Sequence, residues 1–237
     1  MADLVSVLYL SILRVDPKNP GDPGRDRFIL SKGHAAAAIY AALAELGFFP
    51  KEWLATYYGD DGKLSGHISH HVPGVEFSTG SLGHGLPVAT GMAIHAKRRA
   101  KRHRIVVLAS DGDMNEGSTW EAIMFAAQQK LDNLTVILDA NGIQALGRTR
   151  DIADLEPLAE KVRLFRWGVR EINGHDVAAI HAALADLPAE EGKPTFVIAR
   201  TTKGKGVSFF EDTVSCHYRH CDDAQLAQAY RELGVRP

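Results

Sequence analysis

Cysteine is scarce: Cys216 and Cys221 are the only two in 237 residues, which excludes a disulfide framework. No long apolar run marks a membrane-spanning helix, and the N-terminus has neither the basic region nor the cleavage site of a signal peptide. Charge of either sign is not in excess, since 27 basic against 29 acidic residues leaves a formal charge of −2. That balance provides no overall pull towards nucleic acid or acidic membranes. Internal repeats and low-complexity linkers are also missing. These absences lead to the expectation of a cytoplasmic chain without nucleic-acid or membrane partners. With 45% hydrophobic residues, the chain can bury a sizeable core, and residues 1–237 read as a single domain.

Strand and helix signals alternate along the chain. Apolar runs suit strands at Arg27–Leu30, Ile105–Ala109, Leu134–Asp139, Gly168–Ile172 and Thr195–Ala199. Helical spacing predicts helices over residues 2–14, 35–46, 86–99, 115–131, 155–165, 177–187 and 223–233. The alternation predicts an α/β fold, a doubly wound, mostly parallel sheet flanked by helices. The first of these helices is very apolar although it begins beside Met1, so we expect a partner or preceding residues to cover it. Residues 60–85 carry His67, His70, His71 and His84 among many glycines, the composition of a functional loop rather than a linker.

The stretch from Asp111 to Asn141 concentrates the chemistry. A buried strand ends in Ser110-Asp111-Gly112, an amphipathic helix follows, and a second strand ends in Asp139-Ala140-Asn141. In such a βαβ unit the strands run parallel, so Asp111 and Asn141 both lie beyond carboxyl ends, where open α/β sheets bind ligands. A carboxylate and an amide oxygen there suit a hard cation bridging a phosphate.

Five separated motifs then add up. Arg27-Phe28-Ile29-Leu30-Ser31-Lys32-Gly33-His34-Ala35, Ser65-Gly66-His67, Ser78-Thr79-Gly80-Ser81-Leu82-Gly83-His84-Gly85, the Asp111-Gly112 to Asn141 signature and Lys203-Gly204-Lys205-Gly206 stand in an order that resembles transketolase, from about Leu4 to the C-terminus. The resemblance implies thiamine diphosphate as cofactor, with Mg²⁺ or Ca²⁺ bound by Asp111, Asn141 and the backbone carbonyl of Ile143. It further implies cofactor contacts from His34, Gly80, Leu82, Gly112, Glu116, Asn141 and Lys203. His67, His217 and His34 would act in catalysis, and Glu116 would link to the catalytic glutamate of a partner chain. His84 stands where many relatives carry Gln. His70, His71, His95, His103 and His175 have no motif support and read as structural or exposed.

Two other clusters invite rival readings. Cys216-His217-Tyr218-Arg219-His220-Cys221 lacks the paired spacing of structural zinc sites, which favours two free thiols. Residues 97–104 carry six basic side chains in eight, as expected of a solvated helix C-terminus, where cations complement the dipole.

Measured against transketolases, the N-terminus reads as truncated, and the pyrimidine-binding domain that supplies the activating glutamate has no counterpart here. The resemblance therefore implies the N-terminal subunit of a split transketolase, transferring a two-carbon ketol unit between sugar phosphates with a separate C-terminal subunit in an α2β2 assembly. Two alternatives stay open: a 2-oxoacid dehydrogenase-type α subunit, or a non-catalytic partner-binding subunit.

Overall fold

The computed structural model describes residues 1–235. Five strands form one parallel sheet: β1 (Arg27–Leu30), β2 (Ile105–Ser110), β3 (Leu134–Ala140), β6 (Gly168–Asn173) and β7 (Thr195–Arg200), in the spatial order β1-β2-β3-β7-β6. The register of the central pair matches Ile105 with Leu134 and Leu108 with Ile137. Alternation along β2 divides the core. Val106 and Leu108 join one apolar cluster with α1 (Ala2–Val7), α2 (Ala36–Leu46) and α7 (Val177–Ala185). Ile105, Val107 and Ala109 join the other, with α3 (Gly85–Arg98), α4 (Gly117–Gln128) and α6 (Leu158–Leu164). Strands buried on both faces, with helices over each, make the sheet doubly wound.

The structure corrects several element boundaries. The first helix is α-helical only to Val7; a π-helical turn, Leu8–Ile12, ends it, with the Leu13 amide donating to the Leu8 carbonyl at 2.8 Å. Much of its apolar face is covered from within the chain: Leu4, Val5 and Leu8 are buried in the same cluster as α2 and α7, while Leu10 stays 70% exposed. The helix expected from Asn115 begins at Gly117, because Asp111–Asn115 forms a 3-10 turn of its own. The polar stretch after Asn141 is a two-rung hairpin, β4 (Ile143–Gln144) with β5 (Gly147–Arg148), followed by the short α5 (Thr149–Ile152). A terminal helix α8 (Asp223–Glu232) starts at Asp222, whose carboxylate accepts the Gln225 amide hydrogen at 2.8 Å.

The long loop before α3 is irregular but anchored, since Leu64, Ile68 and Val72 are all buried in the first cluster. The basic tract lies at the end of α3; Lys97 pairs with Asp132 at 2.7 Å and Arg104 with Asp26 at 2.6 Å. No helix of the described residues is long and apolar enough to cross a membrane.

Candidate active site

The segments leaving the carboxyl ends of β1, β2, β3 and β7 converge, beside the point where strand order reverses. They enclose a cavity of about 360 Å³ whose lining includes Lys32, His34, His67, Gly80, Leu82, Gly112, Asn141, Ile143, Lys203 and His217. Nine of these ten are expected from the sequence; Lys32 is not. A second cavity of about 400 Å³ adjoins it and shares Lys32, His34, Asn141, Lys203 and His217.

Two expected residues lie elsewhere. Asp111 does not line this cavity: it is buried, its Oδ2 accepts the backbone N–H of Asn141 and of Gly142, each at 3.1 Å, and it borders a separate cavity of about 480 Å³ together with Gly142, Arg148 and Arg200. Glu116 lines no part of the cavity: it is an extended, exposed residue between the 3-10 turn and α4, with its Cβ packed over Gly83. His84 is also exposed, its Nδ1 3.1 Å from the Leu82 carbonyl.

Close backbone approaches build the walls. A side chain at Gly33 would place its Cβ 2.3 Å from the Thr79 carbonyl oxygen, so glycine there allows the loop after β1 and the loop before α3 to touch. A Cβ at Gly80 would meet the His67 ring at 2.8 Å, which is why that ring can lie across the loop. Asp113 ties these loops together. Buried, it accepts from Ser31 Oγ at 2.7 Å, the Gly83 amide at 3.0 Å, and the Ser110 amide and hydroxyl at 2.9 Å each.

On the opposite wall, Lys203 Nζ donates to His217 Nδ1 at 2.9 Å, and the His217 and His34 rings lie 5.1 Å apart. Burial first, and then Lys32 and the other cations, lower the pKa of His34 to about 4, so the ring is neutral at pH 7. His217 is lowered for the same reasons, by burial and then by Lys203. Its Nδ1 accepts a hydrogen bond, leaving the Nε2 position protonated. Lys203 is itself lowered by burial and the nearby Lys32. Beneath it, Lys32 and Asp139 form a buried ion pair at 2.7 Å, and Thr201 Oγ1 donates to the same carboxylate at 2.5 Å. Burial alone would raise Asp139, but Lys32 holds it well below the usual carboxylate range. Burial pushes Asp111 up to about 6 against the two backbone N–H groups that stabilise its charge.

The donor set has a chemical character. Asp111, the Asn141 amide and the Ile143 carbonyl offer oxygen atoms, the donor type that Mg²⁺ and Ca²⁺ prefer, and Asn141 and Ile143 share their cavity with Lys203 and with the Asp139-paired Lys32. Among the described residues no three His, Cys, Asp or Glu side chains gather as a metal cluster. Both cysteines are free thiols, and a single 3-10 turn, Val214–His217, carries His217.

Comparisons with known proteins identify the family. The sequence profile of the transketolase thiamine diphosphate binding domain matches residues 1–237. The chain is 45% identical over 232 residues to a subunit of the apulose-4-phosphate transketolase of Actinobacillus succinogenes, covering 98% of this chain and 84% of that one. It is 38% identical over 234 residues to a 6-deoxy-6-sulfo-D-fructose transketolase subunit of Clostridium sp., covering 98% and 85%. The solved transketolase of Campylobacter jejuni superposes with a TM-score of 0.91 at 33% identity, and this chain covers 38% of its length. Matched along its whole length by the thiamine diphosphate binding domain, this chain belongs to the transketolase family.

Proposed function

We propose that this chain is the diphosphate-binding subunit of a split transketolase. With a separate C-terminal subunit, in an α2β2 assembly, it transfers a two-carbon ketol unit between sugar phosphates, using thiamine diphosphate and Mg²⁺ or Ca²⁺. The observation that carries this reading is the cavity at the strand ends, where His34, His67 and His217 face Lys203, Asn141 and Ile143. The split arrangement draws support from relatives named as subunits, of which the chain covers 84% and 85%. It covers only 38% of the Campylobacter transketolase.

Each residue has a physical part. Asp111, Asn141 and the Ile143 carbonyl would hold the cation, whose positive charge would help to bind a diphosphate. Lys203 would offset part of the remaining diphosphate charge, while Lys32, already paired with Asp139, would hold the loop that carries His34. Thiamine diphosphate, when bound, supplies the nucleophilic carbon and the electron sink. His34, neutral at pH 7, can donate from one ring nitrogen and accept at the other, as hydroxyl recognition requires. His67 and His217 are assigned to proton handling at the sugar hydroxyls. Glu116, exposed just before α4, would meet the partner. The relatives' named substrates bear a phosphate or a sulfonate, so the substrate class proposed here is a ketose with an anionic end.

The test is reconstitution. The chain and its C-terminal subunit together should transfer ketol units from xylulose 5-phosphate, and neither should do so alone. Turnover of pyruvate instead would favour a 2-oxoacid dehydrogenase-type α subunit. Robust transfer by this chain by itself would contradict the split arrangement.

A further inference from the structure

Lys203 sits in a turn-rich segment held at several points: its carbonyl accepts the Asp212 amide hydrogen at 2.8 Å, and the Gly206 amide donates to Glu211 at 2.9 Å. Gly204 and Gly206, which follow it closely, both adopt positive φ, at 72° and 88°. Glycine-rich backbone of this kind has wide conformational freedom. The chain after Lys203 is held by its contacts with Glu211 and Asp212, and the chain before it is held by a separate set. Thr201 is gripped by β3: its amide donates to the Ala140 carbonyl at 3.1 Å and its hydroxyl to Asp139. The next residue is gripped by a histidine from another part of the fold. The Thr202 amide donates to His175 Nε2 at 2.8 Å, and His175 Nδ1 lies 2.9 Å from Asp3 Oδ2.

The chemistry of this chain of contacts is one-directional. Nε2 accepts the backbone N–H, so it carries no proton, and Nδ1–H donates to the Asp3 carboxylate. Asp3 thus fixes both the tautomer and the ring orientation, and the ring fixes Thr202. The imidazole is largely sequestered, with 19% of its side chain exposed, and it lines the second cavity beside Lys203. Its partners come from α1 and from the segment after β7, while His175 itself stands between β6 and α7.

We infer that His175, oriented by Asp3, is a positioning residue for Lys203: it holds the Thr202 amide so that the ammonium of the next residue reaches His217 and the diphosphate end of the cavity. This rests on the proposal that the cavity takes a diphosphate.

The test compares His175→Leu, which removes both hydrogen bonds at similar volume, with His175→Gln, whose amide can accept from Thr202 and donate to Asp3. Two readouts are taken on the full chain. One is the acylation rate of the Lys203 amine relative to the other lysines, by mass spectrometry without cofactor. The other is the affinity for inorganic pyrophosphate with Mg²⁺, by calorimetry. His175→Leu should speed Lys203 acylation and weaken pyrophosphate binding about tenfold, the scale of one lost hydrogen bond, and His175→Gln should restore both. Wild-type values in His175→Leu, or a glutamine variant as impaired as the leucine one, would overturn the inference. Should His175→Leu fail to fold, Asp3→Ala replaces it: faster Lys203 acylation supports the role and an unchanged rate overturns it. A wild-type chain that takes up no pyrophosphate, with Lys203 acylation still raised in His175→Leu, would support the positioning role and count against the diphosphate reading alone.

Discussion

The ammonium of Lys32 lies 2.7 Å from Oδ2 of Asp139, and both side chains are buried at the carboxyl end of the sheet. The pair joins the loop after β1, which carries His34, to the end of β3, two residues before Asn141. Removing one partner leaves an uncompensated buried charge, which typically costs about 3–5 kcal/mol. Lys32→Met and Asp139→Asn should each lower stability on that scale in urea denaturation. A loss below about 1 kcal/mol, the scale of an exposed pair, would mean that the two are solvated.

Asp26 gives a pH dependence. Burial would raise its pKa, but hydrogen bonds from Arg14 and Arg104 overcome that and hold it at about 2. A carboxylate whose pKa is depressed in the folded state adds stability that is fully present above its unfolded pKa, about 3.9, and is lost as pH falls through the folded value. Asp26→Asn should therefore be less stable than the wild type by a constant margin between about pH 5 and 7, and the margin should shrink from about pH 4 towards pH 2. Urea midpoints measured across that range check this; a margin that grows on acidification would refute the assignment.

Contact between the loop after β1 and the loop before α3 is equally testable. Gly33→Ala would set a methyl 2.3 Å from the Thr79 carbonyl oxygen, and overpacking of this sort costs about 1–3 kcal/mol. The melting temperature should fall accordingly, and Thr79→Gly should not restore it, because the clash is with backbone.

The hairpin over the cavity is fastened at two points. Tyr218 Oη donates to the Ala145 carbonyl at 2.5 Å, and Arg148 binds the Asp212 carboxylate at 2.5 and 2.9 Å. All of these contacts are exposed, so each adds little to stability. Tyr218→Phe should leave the melting temperature nearly unchanged but speed dissociation of thiamine diphosphate several-fold in stopped-flow measurements.

What the sequence reveals follows from the range of the interactions. Five strands are legible because each is a short run with apolar residues between polar or glycine-rich ends, a local pattern; β2, β3 and β7 are buried almost throughout, whereas the edge strand β6 is only partly so. The site loops are legible because their motifs are contiguous. Asp113 is hidden because Asn115 onwards already reads as helix, whereas the buried carboxylate bends Asp111–Asn115 into a separate turn by bonding Ser110. The β4–β5 hairpin has two residues per strand, too few to show any periodicity. His175 looks bland because its partners, Asp3 and Thr202, stand 172 and 27 residues away. Lys32 reads only as part of a motif, since nothing local indicates that its partner is Asp139, 107 residues on.

The central claim is that Asp111 and Asn141 anchor a cation-bound diphosphate. Calorimetric titration of thiamine diphosphate with Mg²⁺ into the wild-type chain and Asp111→Ala, each with the C-terminal subunit present, tests it most directly. The account predicts binding by the wild type that is lost on chelating the metal, and no measurable binding by Asp111→Ala. Equal affinity in the two proteins would contradict it.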